Sequence, residues 1–254
     1  MFTILCCYNN REELEQMLLP SLQRQTVPYN LLLIDSRAKG YRSAAEAYNR
    51  TLEAYRTQNG DETGNLLFTH QDVAFDDADF LLKLEQAIDH LQGSIVGLAG
   101  ITLDGQIFSN LRYRATGQFI TRQQTDRPIE AASLDECLFA MPWKVWQQTR
   151  FDEQTCYHWH LYAVDLCYAA RLEQQTRSYI LPLPAYHKQT AGNGLYTDDH
   201  FLRTMWRMIR KYRKHVPMLY TICYRTSTRY LPAALHMLLV KQYTNRQLRK
   251  RKGN

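Results

Sequence analysis

What the sequence lacks narrows the field first. Its six cysteines, Cys6, Cys7, Cys137, Cys156, Cys167 and Cys223, form no CxxC pair and show no zinc-like spacing. They read as reduced thiols, mostly in the core, rather than as a disulfide framework or a redox motif. No basic region precedes the apolar start Met1-Phe2-Thr3-Ile4-Leu5 and no cleavage-like site follows it, which argues against a secretory signal and makes the cytoplasm the expected location. No apolar run approaches the roughly 20 residues that span a bilayer. There is no internal repeat and no low-complexity segment. Acidic residues are nearly missing from one end: residues 199–254 hold 14 Lys and Arg against one Asp or Glu, whereas residues 1–198 hold 17 against 24. The net charge of +6 is therefore an acidic body at −7 joined to a tail at +13.

What is present is an ordinary globular composition, 254 residues with 45% hydrophobic and 22% charged, enough for one large domain with an appendage. We take residues 1–198 as the domain and 199–254 as a basic helical extension. Two helices are predicted in the extension, over 201–215 and 231–243. The second is interrupted by Pro232, His236 and Lys241 and is too short in its apolar part to cross a membrane, so at most it lies on a membrane surface or packs against a second copy of the chain. The charge suits an anionic surface, with acidic lipid headgroups ahead of nucleic acid or an acidic protein; a solvated helical face is the plain alternative.

Along the body, strand and helix patterns alternate. Phe2 to Cys7 reads as a strand, and Asn10 with Glu13 three residues on is a capping-box pattern opening a helix carried by Leu14, Met17, Leu18 and Leu22. Leu31 to Ile34 is the second strand. Ser43 with Glu46 repeats the capping box before an amphipathic helix through Ala44, Ala47, Tyr48, Thr51, Leu52 and Tyr55. Leu66 to Thr69 is the third strand, Phe80 to Leu91 a helix, and Ile95 to Ile101 a further apolar run. This βαβαβαβ order predicts an α/β fold with a mostly parallel central sheet covered by helices on both faces. From residue 102 the period is lost until Cys137–Met141. A helix then follows Pro142, another runs through Leu161, Val164, Leu166, Tyr168 and Leu172, and Ser178 to Leu183 is a last strand.

The third strand delivers His70-Gln71-Asp72 at its end. By itself the triplet reads equally as a surface turn or as a metal site at the carboxyl end of a strand, where open α/β sheets bind ligands. Asp76, Asp77 and Asp79 just beyond suit a solvated helix start.

In this order the landmarks resemble the family 2 type of glycosyltransferase with the GT-A (nucleotide-diphosphosugar transferase) fold, and its bacterial branch with a His-Gln-Asp triplet in place of Asp-x-Asp. The resemblance covers about residues 2 to 192. Cys7-Tyr8-Asn9-Asn10 is similar to the family's turn after strand one, which implies that Tyr8 and Asn9 contact the nucleotide. Leu32-Leu33-Ile34-Asp35-Ser36 is similar to its strand two, implying that Asp35 hydrogen-bonds the base. Where the family often has an arginine near the diphosphate, Tyr48 stands. The triplet resembles the element that meets the ribose and binds the metal: Asp72 is implied as metal ligand and Gln71 as ribose contact, while His70 replaces the first acid and has no assigned role. Pro184-Ala185-Tyr186-His187-Lys188 resembles the segment of the family's late histidine, implying His187 as second ligand, and Gly192-Asn193-Gly194 beyond it resembles a loop over the donor. Trp159 to Cys167 resembles the helix start carrying the catalytic base; Tyr162 and Ala163 fill the first two places of the usual Glu-Asp-x-Asp, which leaves Asp165.

The resemblance implies a Mn²⁺- or Mg²⁺-dependent inverting hexosyl- or N-acetylhexosaminyl-type transferase. It would use a nucleotide-diphosphate sugar, in the first place a UDP-sugar, and a glycan or lipid-linked acceptor, at the inner face of a membrane held by the basic tail. A metal bridging the diphosphate neutralises leaving-group charge without proton transfer, and an added imidazole tilts such a site towards Mn²⁺. A non-catalytic binding module is the alternative, since acids are missing at positions 70, 162 and 163. A sugar nucleotidyltransferase fits less well, because Cys6 to Arg11 is not a glycine-rich basic loop.

Overall fold

Alternation of side chains between two faces builds the centre of the molecule. The computed structural model describes residues 1–38, 40–60, 63–188 and 198–252, and in it β1 (Phe2–Tyr8) turns Phe2, Ile4 and Cys6 to one face and Leu5 to the other. Asn10 then caps α1 (Arg11–Gln16) by accepting the Glu13 amide, and α2 (Leu18–Gln23) follows. After β2 (Tyr29–Asp35), Ser43 accepts the Glu46 amide and starts α3 (Ala44–Asn59), as the capping-box spacing predicts. Next comes β3 (Asn65–Thr69), buried along its whole length, with Leu66 and Phe68 on the face of Leu5 and Leu67 on that of Ile4. The chain continues through β4 (Val73–Ala74), α4 (Phe80–His90), β5 (Ile95–Gly97), β6 (Ala99–Thr102), β7 (Ile107–Ser109), β8 (Leu111–Tyr113), β9 (Ile129–Leu134), β10 (Leu138–Pro142) and α5 (Trp143–Gln148). It ends with α6 (Tyr162–Gln174), β11 (Ser178–Ile180), β12 (Ala185–His187), α7 (Asp199–Tyr212), β13 (Met218–Tyr220), β14 (Arg225–Ser227) and α8 (Leu231–Lys252).

Among the described residues the main sheet has nine strands in the order β2-β1-β3-β10-β5-β11-β9-β6-β7. Residues of α3, α5 and α6 form one core with one face of the sheet, and α2 and α4 pack on the other. This is the expected α/β sandwich, with one correction to the sheet. Only β2-β1-β3 and β5-β11 pair parallel, and the remaining neighbours are antiparallel. The apolar run Ile95–Ile101 is not one strand. It divides at Leu98 into β5 and β6, which take separate places in the sheet, and the section read as irregular supplies β7, β8 and β9. A parallel return needs a crossover, usually a helix; residues 103–137 have no helical period, and β7 returns antiparallel on β6 through a short turn.

A second sheet, β4-β12-β8, lies beside the carboxyl end of β3 and matters for the site. The extension is joined to the body by packing: α7 seats Phe201, Leu202, Met205, Met208 and Ile209 in one cluster with Leu161 and with Val164 and Tyr168 of α6, and α8 adds Ala234 and Leu238. Among the described residues no helix is long and apolar enough to cross a membrane. All six cysteines are free, and burial pushes the Cys7 thiol up to about 12, in keeping with unreactive core thiols.

Candidate metal and donor site

Parallel register brings three strand ends level. Tyr8 of β1 lies opposite Asp35 of β2, and Leu5 opposite Phe68 of β3, so Tyr8-Asn9, Asp35 and His70-Gln71-Asp72 leave the same edge side by side. The His70 amide donates to the Cys137 carbonyl at 2.9 Å, carrying the β3–β10 ladder one residue further. His187 comes from far along the chain, and backbone pairing delivers it. In the β4–β12 ladder His187 faces Val73, and the Lys188 amide donates to the Asp72 carbonyl at 3.1 Å.

The result is a carboxylate between two imidazoles. His187 Nε2 lies 3.3 Å from Asp72 Oδ2, and His70 Nδ1 lies 4.0 Å from Asp72 Oδ1. Donor atoms of the three residues all fall within 4.8 Å of one another. A divalent ion roughly 2.1 Å from each donor needs them roughly 3 to 4 Å apart, so a closure of less than an ångström would complete the set. His187 Nδ1 lies 3.1 Å from the Lys188 carbonyl, a contact that favours the Nδ1–H tautomer and leaves the Nε2 lone pair for a metal. Desolvation pushes His70 below the ordinary histidine value despite the opposing charge of Asp72, which keeps its ring neutral and able to ligate. Tyr162 Oη stands 3.4 Å from His70 Nε2, behind the face that looks at Asp72.

The trio opens into a cavity of about 490 Å³ whose lining includes Asn9, Ser36, Arg37, Tyr41, His70, Gln71, Asp72, Trp159 and Tyr162. It adjoins, through Asn9 and Arg37, a hollow bordered by Tyr8, Asn10 and Asp35. The size is that of a small-ligand site. Oδ1 of Asp35 accepts the Arg37 and Ala38 amides, both at 2.9 Å, so a ligand N–H would meet the other oxygen. Gln71 lines the cavity, but its amide is engaged: Oε1 accepts the amides of Asn9 and Asn10 at 2.8 and 3.0 Å, and Nε2 donates to Glu13 at 2.6 Å. It clamps the turn after β1 against the trio. Tyr48, at the place of the family's arginine, is buried and meets Phe68 edge-on with ring centroids 4.9 Å apart. The cation among the described residues lining the cavity is Arg37, which the sequence reading missed; its signal was a position two residues after Asp35.

No protein-family model and no curated protein matches the sequence. Solved structures do match in fold. One is GalNAc-T7 with UDP, GalNAc and Mn²⁺, at a TM-score of 0.53 and 12% identity, over 84% of this chain and 48% of that one. Another is the mannosyltransferase PcManGT from Pyrobaculum calidifontis in complex with GDP-Man and Mn²⁺, at a TM-score of 0.52 and 11% identity, over 95% of this chain and 68% of that one. The fold is that of the GT-A glycosyltransferases. This chain spans about half the length of the GalNAc-T7 chain.

Within the GT-A fold, the structure does not bring Asp165 to the trio's cavity. Asp165 is 2% exposed, its carboxylate accepts from Lys211 Nζ at 2.9 and 3.0 Å and from Tyr212 Oη at 2.8 Å, and it is not among the cavity's lining residues. Lys211 also binds Asp152 at 2.9 Å; against the effect of burial, this contact and Thr155 pull the Asp152 carboxyl down to about 2. A half-buried lysine is held by carboxylates here, and the buried Asp165 thereby anchors α6 to α7. His158 and His160 also tie to α7, by stacking on His200 at 3.9 Å and by pairing with Asp198 at 3.2 Å. Gly192-Asn193-Gly194 lies outside the described residues.

A further acid went unnoticed in the sequence. Glu136 precedes β10 with Oε1 buried and without a hydrogen-bond partner, and burial followed by the charge of Asp135 pushes its carboxyl up to about 8. Its signal was an acidic pair at the head of an apolar run. A carboxyl that holds its proton more tightly folded than unfolded loses stability as pH rises, from the unfolded value near 4.3 through about 8. Glu136→Gln should therefore melt higher than wild type at alkaline pH and close to it in mild acid, as read by calorimetry across pH. Asp165→Asn should lose about 1–2 kcal/mol in urea unfolding, because the half-buried Lys211 is left with one carboxylate fewer.

Proposed function

We propose that the chain is a family 2-type, metal-dependent glycosyltransferase that moves a sugar with inversion from a nucleotide-diphosphate donor, in the first place a UDP-sugar, to a glycan or lipid-linked acceptor. The observation that carries this reading is the His70–Asp72–His187 trio at the carboxyl edge of β3, beside the ends of β1 and β2 that offer Tyr8, Asn9 and Asp35. A hexosyl or N-acetylhexosaminyl group is the sugar class in keeping with the family resemblance.

Asp72, His70 and His187 would hold Mn²⁺ or Mg²⁺, and two imidazoles favour Mn²⁺. Such an ion neutralises charge growing on the leaving diphosphate. The chain's own side chains bind and orient. Asp35 meets the base with its free oxygen, Tyr8 packs against it, and Arg37 reaches the phosphates. Gln71 holds Asn9 in place, while Trp159 and Tyr162 wall the cavity. The acceptor's proton requires a carboxylate base. Asp165 is the carboxylate that the family resemblance offers for this role, and its pairing with Lys211 would have to open for it to serve.

One observation favours a second reading. Among the described residues lining the cavity, Asp72 is the single carboxylate, which suits a module that binds a nucleotide sugar without transferring it. Turnover separates the two: steady release of nucleoside diphosphate from a sugar donor supports the transferase, and saturable binding without release from any donor supports the module.

The shared basis of both readings is tested by titration calorimetry with UDP and GDP, with and without Mn²⁺. Mn²⁺ should tighten binding by about tenfold or more, roughly 1.4 kcal/mol, and Asp72→Ala should remove that gain. Metal-independent binding in the wild type would overturn the assignment of the trio.

A further inference from the structure

Among the described residues, one face of α8 is left without a partner. Ala234 and Leu238 of α8 are buried against the α6–α7 cluster, with Leu231 and Met237 partly buried beside them. On the other side Leu235, Leu239 and Tyr243 follow one another at intervals of four, which stacks them on a single stripe, and Val240 flanks it. Leu239 is 55% exposed and Tyr243 is 65% exposed. Tyr230, just before the helix, is equally bare. Large apolar side chains gathered on one exposed stripe mark a surface that meets something apolar.

Charge identifies the partner. The sequence of α8 carries six Lys and Arg and no acid, five of those cations within its last seven residues, on an extension that holds 14 cations and one acid. An apolar stripe continued by a cationic end is the pattern of a helix lying in the plane of a bilayer, apolar side chains among the acyl chains and cations among anionic headgroups. Tyrosine suits that boundary, since its ring is apolar and its hydroxyl stays wet. A second copy of the chain offers no anionic groups on α8 to meet these cations, whereas an anionic bilayer does.

We propose that the outer face of α8 docks this protein on anionic lipid bilayers, with Leu235, Leu239, Val240 and Tyr243 inserted and the cationic end of the helix at the headgroups. The inference does not depend on the donor site. If both hold, the donor cavity works at a membrane surface, which suits a lipid-linked acceptor.

Flotation with vesicles tests it on the full chain. Wild type should bind vesicles of phosphatidylcholine containing about 30% phosphatidylglycerol, bind pure phosphatidylcholine vesicles at least about tenfold less, and detach in about 0.5 M NaCl. Leu235→Ser/Leu239→Ser/Tyr243→Ser alters only exposed positions; it should keep the wild-type melting temperature and lose about tenfold in binding. Arg249→Gln/Lys250→Gln/Arg251→Gln/Lys252→Gln should lose a similar factor. Failure of wild type to float with anionic vesicles overturns the proposal. So does undiminished binding by the serine variant, which would leave a purely electrostatic tail. Conversion of a wild-type dimer to a monomer by the serine substitutions, with no vesicle binding in either form, would make the stripe an interface between copies.

Discussion

Everything proposed for the site depends on one short antiparallel pairing, β4 with β12. It is only two residue pairs long, yet it sets His187 opposite Val73 and lets the Lys188 amide close on the Asp72 carbonyl. Without it the carboxyl edge of β3 would offer one carboxylate and one imidazole to a ligand. With it, a residue 115 positions further along stands 3.3 Å from Asp72. Backbone hydrogen bonds thus position the donors, and the side chains need only short reaches. Gln71 and Glu13 extend the arrangement by joining the turn after β1 to the same edge, so that turn and the trio are tied together by hydrogen bonds.

The second organising feature is the half-buried cation Lys211. It draws Asp152 and Asp165 together and, with Tyr212, fastens α7 across α6. This fastening makes the extension part of the fold and holds α6, whose first residue is the Tyr162 that backs His70. Leu161 just before it takes a left-handed φ of 64°, costly for an aliphatic residue, and directs the chain into that helix. The neighbourhood of the cavity is therefore braced from behind by an ion cluster and strained at its edge.

The first half of the molecule was legible because its signals are local. Apolar runs, capping boxes at Asn10 and Ser43 and amphipathic periods in α3 and α4 each depend on residues a few positions apart, and together they led to a parallel sheet with ligands at its carboxyl edge. The second half was not, because strands of three residues such as β5 and β8 are too short to carry a period, and their partners lie far away in sequence. The site shows the same division. Asp72 was implied as a ligand by the family resemblance and not by its strand alone; His70 had no role until the fold set it beside Asp72. Asp165 sits where the family resemblance implies a base, and only the packing of α7 revealed Lys211 on its carboxylate. Glu136 was hidden in a section without period, and its burial is a property of the fold rather than of its neighbours in sequence.

The central claim is that His70, Asp72 and His187 form one metal site in a cavity for a nucleoside diphosphate. Crystals grown with Mn²⁺ and UDP test it most directly through anomalous scattering. The account predicts a single strong anomalous peak at about 2.1–2.3 Å from all three side chains, with diphosphate oxygens completing its coordination. Diphosphate density in the cavity with no peak between the three residues, or a peak held by other side chains, would contradict it.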